Sequence, residues 1–389
     1  MASVVVDTAP LVLAVGVVLL GAAVMGFGAR KIGLPAVVGY LLTGLLVSPF
    51  KSGFLDSYDQ LSLLADIGVV LLLFEVGIEI DLRRISREQK ALVWGVPAQV
   101  AIGILIGTPI FLLLDIPLLG ALLLSLSVAM SSSVVIVNIT RSRRRNTDTQ
   151  TEEALLGWAV MQDITGVALA AIILALFGSS DKSLPVALGG ILGFIALAYL
   201  AAKALPAILK SVRWEKDLFL IFSVSIGLSL AALGTVVFGI PMALAGFVAG
   251  LAINQSRDTD EVRKAILPFR DLFAVLFFVI IGSLIETSQL GSALPFALLI
   301  IALVIFAKSL PVVLLARIGK LKANPFQLGV GVGQVGEFSF VLGSIAFSQG
   351  VIDRGQFVGI LLAVVISIIG SVLLVRVRPG KLRKIKKES

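Results

Sequence analysis

Apolar stretches of near-spanning length follow one another along this 389-residue chain. They lie at about residues 10–28, 34–50, 61–80, 91–113, 117–140, 154–178, 184–209, 217–238, 240–254, 271–285, 292–316, 326–348 and 356–375. Most approach the ~20 residues that a helix rising 1.5 Å per residue needs to cross a hydrocarbon core about 30 Å thick. Inside lipid a backbone N–H or C=O has no water partner, so each span must satisfy those groups within itself. The chain is therefore expected to be an all-α polytopic membrane protein with about 13 transmembrane helices. Its residues are 58% apolar and 14% charged, against about 45–50% and 25% in soluble domains. Cysteine and histidine are absent, which removes disulfides, thiolate or imidazole metal sites and a histidine base. Proton chemistry must run through carboxylates or lysine.

The basic residues lie between the spans and alternate in density. Of the 32 Lys and Arg, 28 fall in every second loop or the C-terminal tail. They are Arg30–Lys31, Arg83–Lys90, Arg141–Arg145, Lys203–Lys216, Arg257–Arg270, Arg317–Lys322 and Arg376–Lys387. The opposite loops hold Lys51, Lys182 and Arg354, and Lys308 is inside a span. The positive-inside rule then places the N-terminus outside and the C-terminus in the cytoplasm. Clusters between spans, rather than one basic amphipathic face, argue against nucleic acid as partner of the +8 charge. The run from Pro10 to Phe27 has no preceding basic residue and is long for a signal-peptide core, so it reads as a first membrane helix.

A weak internal repeat is present. "GLPAVVGYLLTGL" (Gly33 to Leu45) resembles "GIPMALAGFVAGL" (Gly239 to Leu251). Asp66, Val70, Leu71 and Gly77 match Asp271, Val275, Leu276 and Gly282 at nearly the same displacement. The displacement equals seven spans, an odd number, so the second copy is expected upside down, as in the inverted repeats of secondary transporters. The expected boundaries are residues 33–178 and 239–377 within a transmembrane domain 1–377, followed by a basic cytoplasmic tail 378–389. Such transporters place their ion site where interrupted helices from both halves meet. Two spans carry interruptions at equivalent positions: "SVAMSSSVVIVNIT", with Ser131, Ser132 and Ser133, and "LGVGVGQVGEFSF", with four glycines before Glu337. For the serines, close packing by small residues is the competing reading. Gly331 to Gly336 also fits GxGxxG, but inside a membrane span that motif carries no nucleotide-binding meaning.

Four ionisable residues lie well inside spans: Glu75, Asp163, Lys308 and Glu337. Asp163 is about ten residues, or roughly 15 Å, from the cytoplasmic end of its span, near mid-membrane. Burial favours a protonated carboxyl and an arriving cation favours the ionised form, so one site can hold either ligand in turn. Lys308 and Glu337 are the charge-compensating candidates. Lys308 either forms a permanent salt bridge with Asp163 or pairs with it only between transport events. Glu75 has a cytoplasmic funnel or dimer-contact role set against simple ion pairing.

The segments "IGLPAVVGYLLTGLLVSP", "GVVLLLFEVGIEID", "AMSSSVVI", "MQDITGVAL", "LPFRDLFAVLFFVIIGSLI" and "GQVGEFSFVL" occur in this order. Together they resemble the membrane domain of the monovalent cation:proton antiporter-2 family, particularly its Kef-type potassium/proton members, over about residues 10–377. The resemblance implies a sodium/proton-antiporter-like fold with two crossed broken helices, a homodimer, and elevator-type alternating access. It places the ion-binding aspartate on Asp163, the core lysine on Lys308 and the crossing around Ser132 and Glu337. The transported ions would be K+ or Na+ and H+, with no cofactor and no enzymatic activity. Gln162, expected with Asp163, Ser131, Ser132 and Ser133 among the ion- and proton-binding residues, stands where electrogenic sodium members carry a second acid, which suggests electroneutral one-for-one exchange. Kef-type members often continue into a cytoplasmic nucleotide-binding regulatory domain; here it lies on a separate subunit, or is truncated from this chain, or the basic tail simply meets anionic lipid. The expected location is a prokaryotic inner membrane. A Na+/H+ antiporter is the alternative, and a gated potassium channel a weaker one, since no TVGYG-like filter is present.

Overall fold

The computed structural model describes residues 9–48, 58–79, 90–141, 147–178, 184–212, 214–238, 240, 242–254, 259–285, 288, 290–336 and 338–377. All regular structure among them is helical. Seven of these helices are long and apolar enough to cross a membrane unaided. Glu337 and the tail 378–389 lie outside the described residues.

The chain divides into two compact units, residues 1–79 with 190–287 and residues 80–189 with 288–389, so each draws on both halves of the sequence. The first unit holds α1 (Ala9–Ile32), α2 (Ala36–Leu46) and α3 (Tyr58–Glu79). It also holds most of α8 (Leu184–Val212), with α9 (Lys216–Val236), α10 (Met242–Asn254) and α11 (Thr259–Ser283). Gly33 (φ 89°) lets α1 stop sharply, and the Leu34 N–H reaches back to Ala29 O before Pro35 starts α2. Leu71, Phe74, Ile78, Phe219, Leu230, Ile253 and Ile266 form a buried apolar core between α3, α9, α10 and α11.

Backbones approach closely where glycines face each other. A Cβ on Gly44 would lie 2.8 Å from the Gly282 carbonyl carbon, and one on Gly250 would lie 2.9 Å from Gly77 Cα. Gly44 and Gly250 correspond under the sequence repeat, as do Gly77 and Gly282, so the two contacts interconvert. Gly68 meets the Phe273 backbone, which is its own counterpart.

The tenth apolar segment was expected from residue 271, yet α11 begins at Thr259. The difference has an electrostatic cause. Arg263 and Arg270, read from sequence as loop charges, lie within the helix, and both reach the Glu75 carboxylate at 2.8 Å. Glu75 is 2% exposed, and a carboxylate so buried needs partners to offset its desolvation.

The second unit contains α4 (Lys90–Leu112), α5 (Leu118–Ala129), α6 (Ser133–Arg141) and α7 (Thr149–Phe177). Its second sequence segment supplies α12 (Leu290–Leu303), α13 (Leu310–Ile318), α14 (Pro325–Val332), α15 (Phe338–Ser348) and α16 (Arg354–Val377). Two of the apolar segments are thus each split into half-helices, α5 with α6 and α14 with α15. A third, 290–318, keeps its helical path but widens into a π-helical turn over Val304–Ser309.

Candidate functional site

The two interruptions meet inside the second unit. Helix α5 ends at Met130, which is extended (φ −88°, ψ 142°), and α6 starts at Ser133. Helix α14 ends at Gly333, and the chain runs through Gln334, Val335 and Gly336 toward α15. Broken helix ends expose backbone groups that must find new partners. Here each stretch supplies them to the other. The Gly336 N–H donates to Met130 O at 3.0 Å, and Ser131 Oγ donates to Val332 O at 2.7 Å. The Gln334 side chain accepts the Ser132 N–H at 3.1 Å and donates to Ser132 O at 3.2 Å, acting as a substitute peptide unit. Glycine is required at 336, because a Cβ there would lie 2.5 Å from the Ser131 carbonyl carbon.

Two serines of α16 complete this arrangement. Ser367 Oγ accepts the Val335 N–H at 2.9 Å, and Ser371 Oγ donates to Val330 O at 2.8 Å. At the other end of α14, Asn324 Oδ1 caps the Phe326 and Gln327 N–H groups, while its own N–H donates to Thr151 Oγ1 at 2.9 Å. Thr151 in turn donates to the Asp148 carboxylate that caps α7. One hydroxyl therefore links the starts of α7 and α14 and fixes their relative register.

Lys308 projects from the π-helical turn, whose wider spacing brings the Leu310 N–H back to Ile305 O. Pro311 supplies no N–H to the preceding turn, which favours a departure from α geometry at that point. The lysine is fully buried. Its Nζ donates to Met130 O at 2.6 Å and Gln334 O at 2.7 Å, one carbonyl from each interruption. The Met130 carbonyl caps the C-terminal end of α5, where the helix dipole favours a cation. An ammonium has three donors, so these two bonds leave one.

Asp163 is partly buried on α7. The adjacent Gln162 is fully buried and donates to Ala129 O at 2.9 Å, while Gly166 abuts the Met130 side chain. These contacts place the turn that carries Asp163 against the end of α5. Ser131, Ser132, Gln162 and Lys308 thus belong to one connected arrangement with the Asp163 turn. Ser132 Oγ also accepts the Val135 N–H of α6, and Ser133 is partly buried at the first residue of that helix. Glu75 lies in the other unit with both oxygens engaged by arginines, a geometry that simple pairing describes.

Sequence reading missed Gln99, Trp158 and Gln334. Gln99 Oε1 accepts from Trp158 Nε1 at 3.4 Å and from Gln162 Nε2. An amide inside an otherwise apolar span was the available signal, since a buried amide without hydrogen bonds is costly.

Backbone carbonyls from both interruptions thus converge on a buried ammonium, with the turn that carries Asp163 packed against the end of α5. The sequence model of the family described as sodium/hydrogen exchanger, transmembrane, matches residues 15–377. The chain belongs to that family. Residues 15–377 are thus the transmembrane exchanger domain of that family. YbaL of Escherichia coli (strain K12) is 27% identical over 345 residues, covering 85% of this chain and 62% of YbaL. The chain therefore spans about three fifths of the length of this curated relative. The structure of the sodium proton antiporter MjNhaP1 from Methanocaldococcus jannaschii at pH 8 superposes with a TM-score of 0.73 at 20% identity. That match covers 95% of this chain and 99% of the archaeal one. A second MjNhaP1 structure, from an electron-microscopy map, gives 0.62 at 18% identity over 93% and 94% of the two chains. This chain and MjNhaP1 share one fold.

Proposed function

We propose that the chain exchanges one potassium ion for one proton across a prokaryotic inner membrane, the two competing for the Asp163 carboxylate. The observation that carries this reading is the crossing of two interrupted helices, tied together by Lys308, beside the α7 turn that bears Asp163. Gln162 is neutral and hydrogen-bonded, so the site has one acid where two would carry an extra charge through the cycle. The reciprocal glycine contacts support inverted repeats, and the alternation of basic loops favours an N-terminus outside and a C-terminus in the cytoplasm. In the elevator reading the second unit, which holds the site, moves while the first pairs in a homodimer. A cytoplasmic nucleotide-binding domain, on a separate subunit or a longer chain, is the regulator. Sodium, the cation named for MjNhaP1, is the second reading.

The test is reconstitution in liposomes with a lumenal pH dye, using potassium, sodium, rubidium and lithium in turn, beside current recording on a solid-supported membrane. One-for-one exchange requires cation-driven proton flux with little net current. Competition requires apparent cation affinity to fall about tenfold per pH unit once the carboxylate protonates. Asp163→Asn should abolish exchange in a protein that stays folded. Wild-type exchange by that variant, or large cation currents with no proton requirement, would reject the mechanism.

A further inference from the structure

The amide cluster between α4 and α7 has a built-in direction. Gln99, Trp158 and Gln162 are all fully buried. An indole N–H can only donate, so the Gln99 atom facing Trp158 at 3.4 Å must be the amide oxygen. That oxygen also faces the Gln162 amide, which must therefore present its NH2 group. The Ala129 carbonyl, 2.9 Å from the same Gln162 nitrogen, imposes the same choice. The Gln162 oxygen is thereby turned away from both neighbours, and among the described residues it has no hydrogen-bond partner. A buried acceptor without a donor is rare in folded proteins, and a bound water or cation is the kind of partner it takes. This one belongs to the residue directly before Asp163.

We propose that Gln99, oriented by the Trp158 N–H, is a positioning residue that fixes the Gln162 amide with its oxygen presented to the transported cation beside Asp163. A neutral amide oxygen adds a ligand for a dehydrated cation without adding charge. The assignment rests on the antiport reading for its physiological meaning, but cation binding can be measured without transport.

The experiment compares purified full-length variants by cation-induced thermal stabilisation in detergent, titrated with potassium chloride and sodium chloride against choline chloride, and by dye-reported exchange in liposomes. Gln99→Met keeps the volume and removes the acceptor. It should raise the half-maximal cation concentration about tenfold in both assays, the scale of losing one oriented polar contact, while maximal exchange stays within about twofold. Gln99→Glu keeps an acceptor facing Trp158 and Gln162, and should restore the native half-maximal concentration or lower it. Gln162→Met should match Gln99→Met or exceed it, and the double variant should be no worse than Gln162→Met alone. Should Gln99→Met not fold, Trp158→Phe removes the orienting donor instead, with an expected rise of about threefold by the same reasoning. A half-maximal concentration unchanged in the folded orienting variant, or additive effects of Gln99→Met and Gln162→Met, would overturn the assignment. So would absence of any cation stabilisation of the native protein. Cation stabilisation without exchange would instead reject antiport, and leave the ligand assignment to the binding comparison.

Discussion

Gly336→Ala tests how tightly the two interruptions cross. The new Cβ would lie 2.5 Å from the Ser131 carbonyl carbon, 2.6 Å from its oxygen and 2.9 Å from the Ser132 nitrogen, all backbone atoms. Comfortable carbon contacts begin near 3.5 Å, so the two stretches must separate by about 1 Å. The 3.0 Å bond from Gly336 N to Met130 O is then lost, since hydrogen bonds weaken steeply beyond about 3.2 Å. Overpacking of this kind costs about 1–3 kcal/mol. One lost bond adds about 1 kcal/mol, and the adjoining Ser132–Gln334 pair is strained as well. A total of about 3–5 kcal/mol follows, which with an unfolding entropy near 2.1 cal/mol/K per residue lowers the melting temperature by about 4–6 °C. Scanning fluorimetry in detergent measures the shift. Gly370→Ala in α16, where a Cβ would meet nothing within 4 Å, is the control and should be neutral or slightly stabilising. If Gly336→Ala melts within about 1 °C of the native protein, the crossing is looser than this arithmetic requires.

Lys308→Gln removes a charge that donates to two carbonyls, at 2.6 and 2.7 Å. The amide recovers part of that bonding, so a net loss of about 1–3 kcal/mol in stability is expected, with exchange retained at a reduced rate; complete loss of exchange in a variant as stable as the native protein would mean that the ammonium acts directly in transport. Glu75→Gln leaves Arg263 and Arg270 without their shared carboxylate, but the arginines are 35% and 23% exposed. The cost is accordingly set at about 2–3 kcal/mol, below the 3–5 typical of breaking a fully buried pair, with exchange unaffected; a transport defect without a drop in melting temperature would assign Glu75 to the ion path.

Apolar length made the helices readable, because a membrane span leaves few other ways to satisfy its backbone. The interruptions were readable for the opposite reason: Ser131 to Ser133 and the glycines before Glu337 are poor continuations of an apolar helix. The partners at the crossing were harder to see. Gln334 stands within a quoted motif, yet its use as a substitute peptide unit for Ser132 depends on a residue 202 positions away. Lys308 was expected to face Asp163, and its bonds to Met130 O and Gln334 O follow from a π-helical turn that composition does not announce. Arg263 and Arg270 were counted as markers of a loop because a charge count cannot distinguish a free arginine from one paired with a buried carboxylate.

The crossing also constrains how the protein is made. Met130 lies 206 residues ahead of Gly336, the residue whose N–H meets its carbonyl. At a synthesis rate of about 5–20 residues per second, the later partner emerges about 10–40 s after the earlier one. Through that interval the first broken helix is in or near the membrane without the stretch that completes its hydrogen bonding. Water or the insertion machinery must hold those groups until the second half arrives, so the crossing is among the last parts of the molecule to assemble.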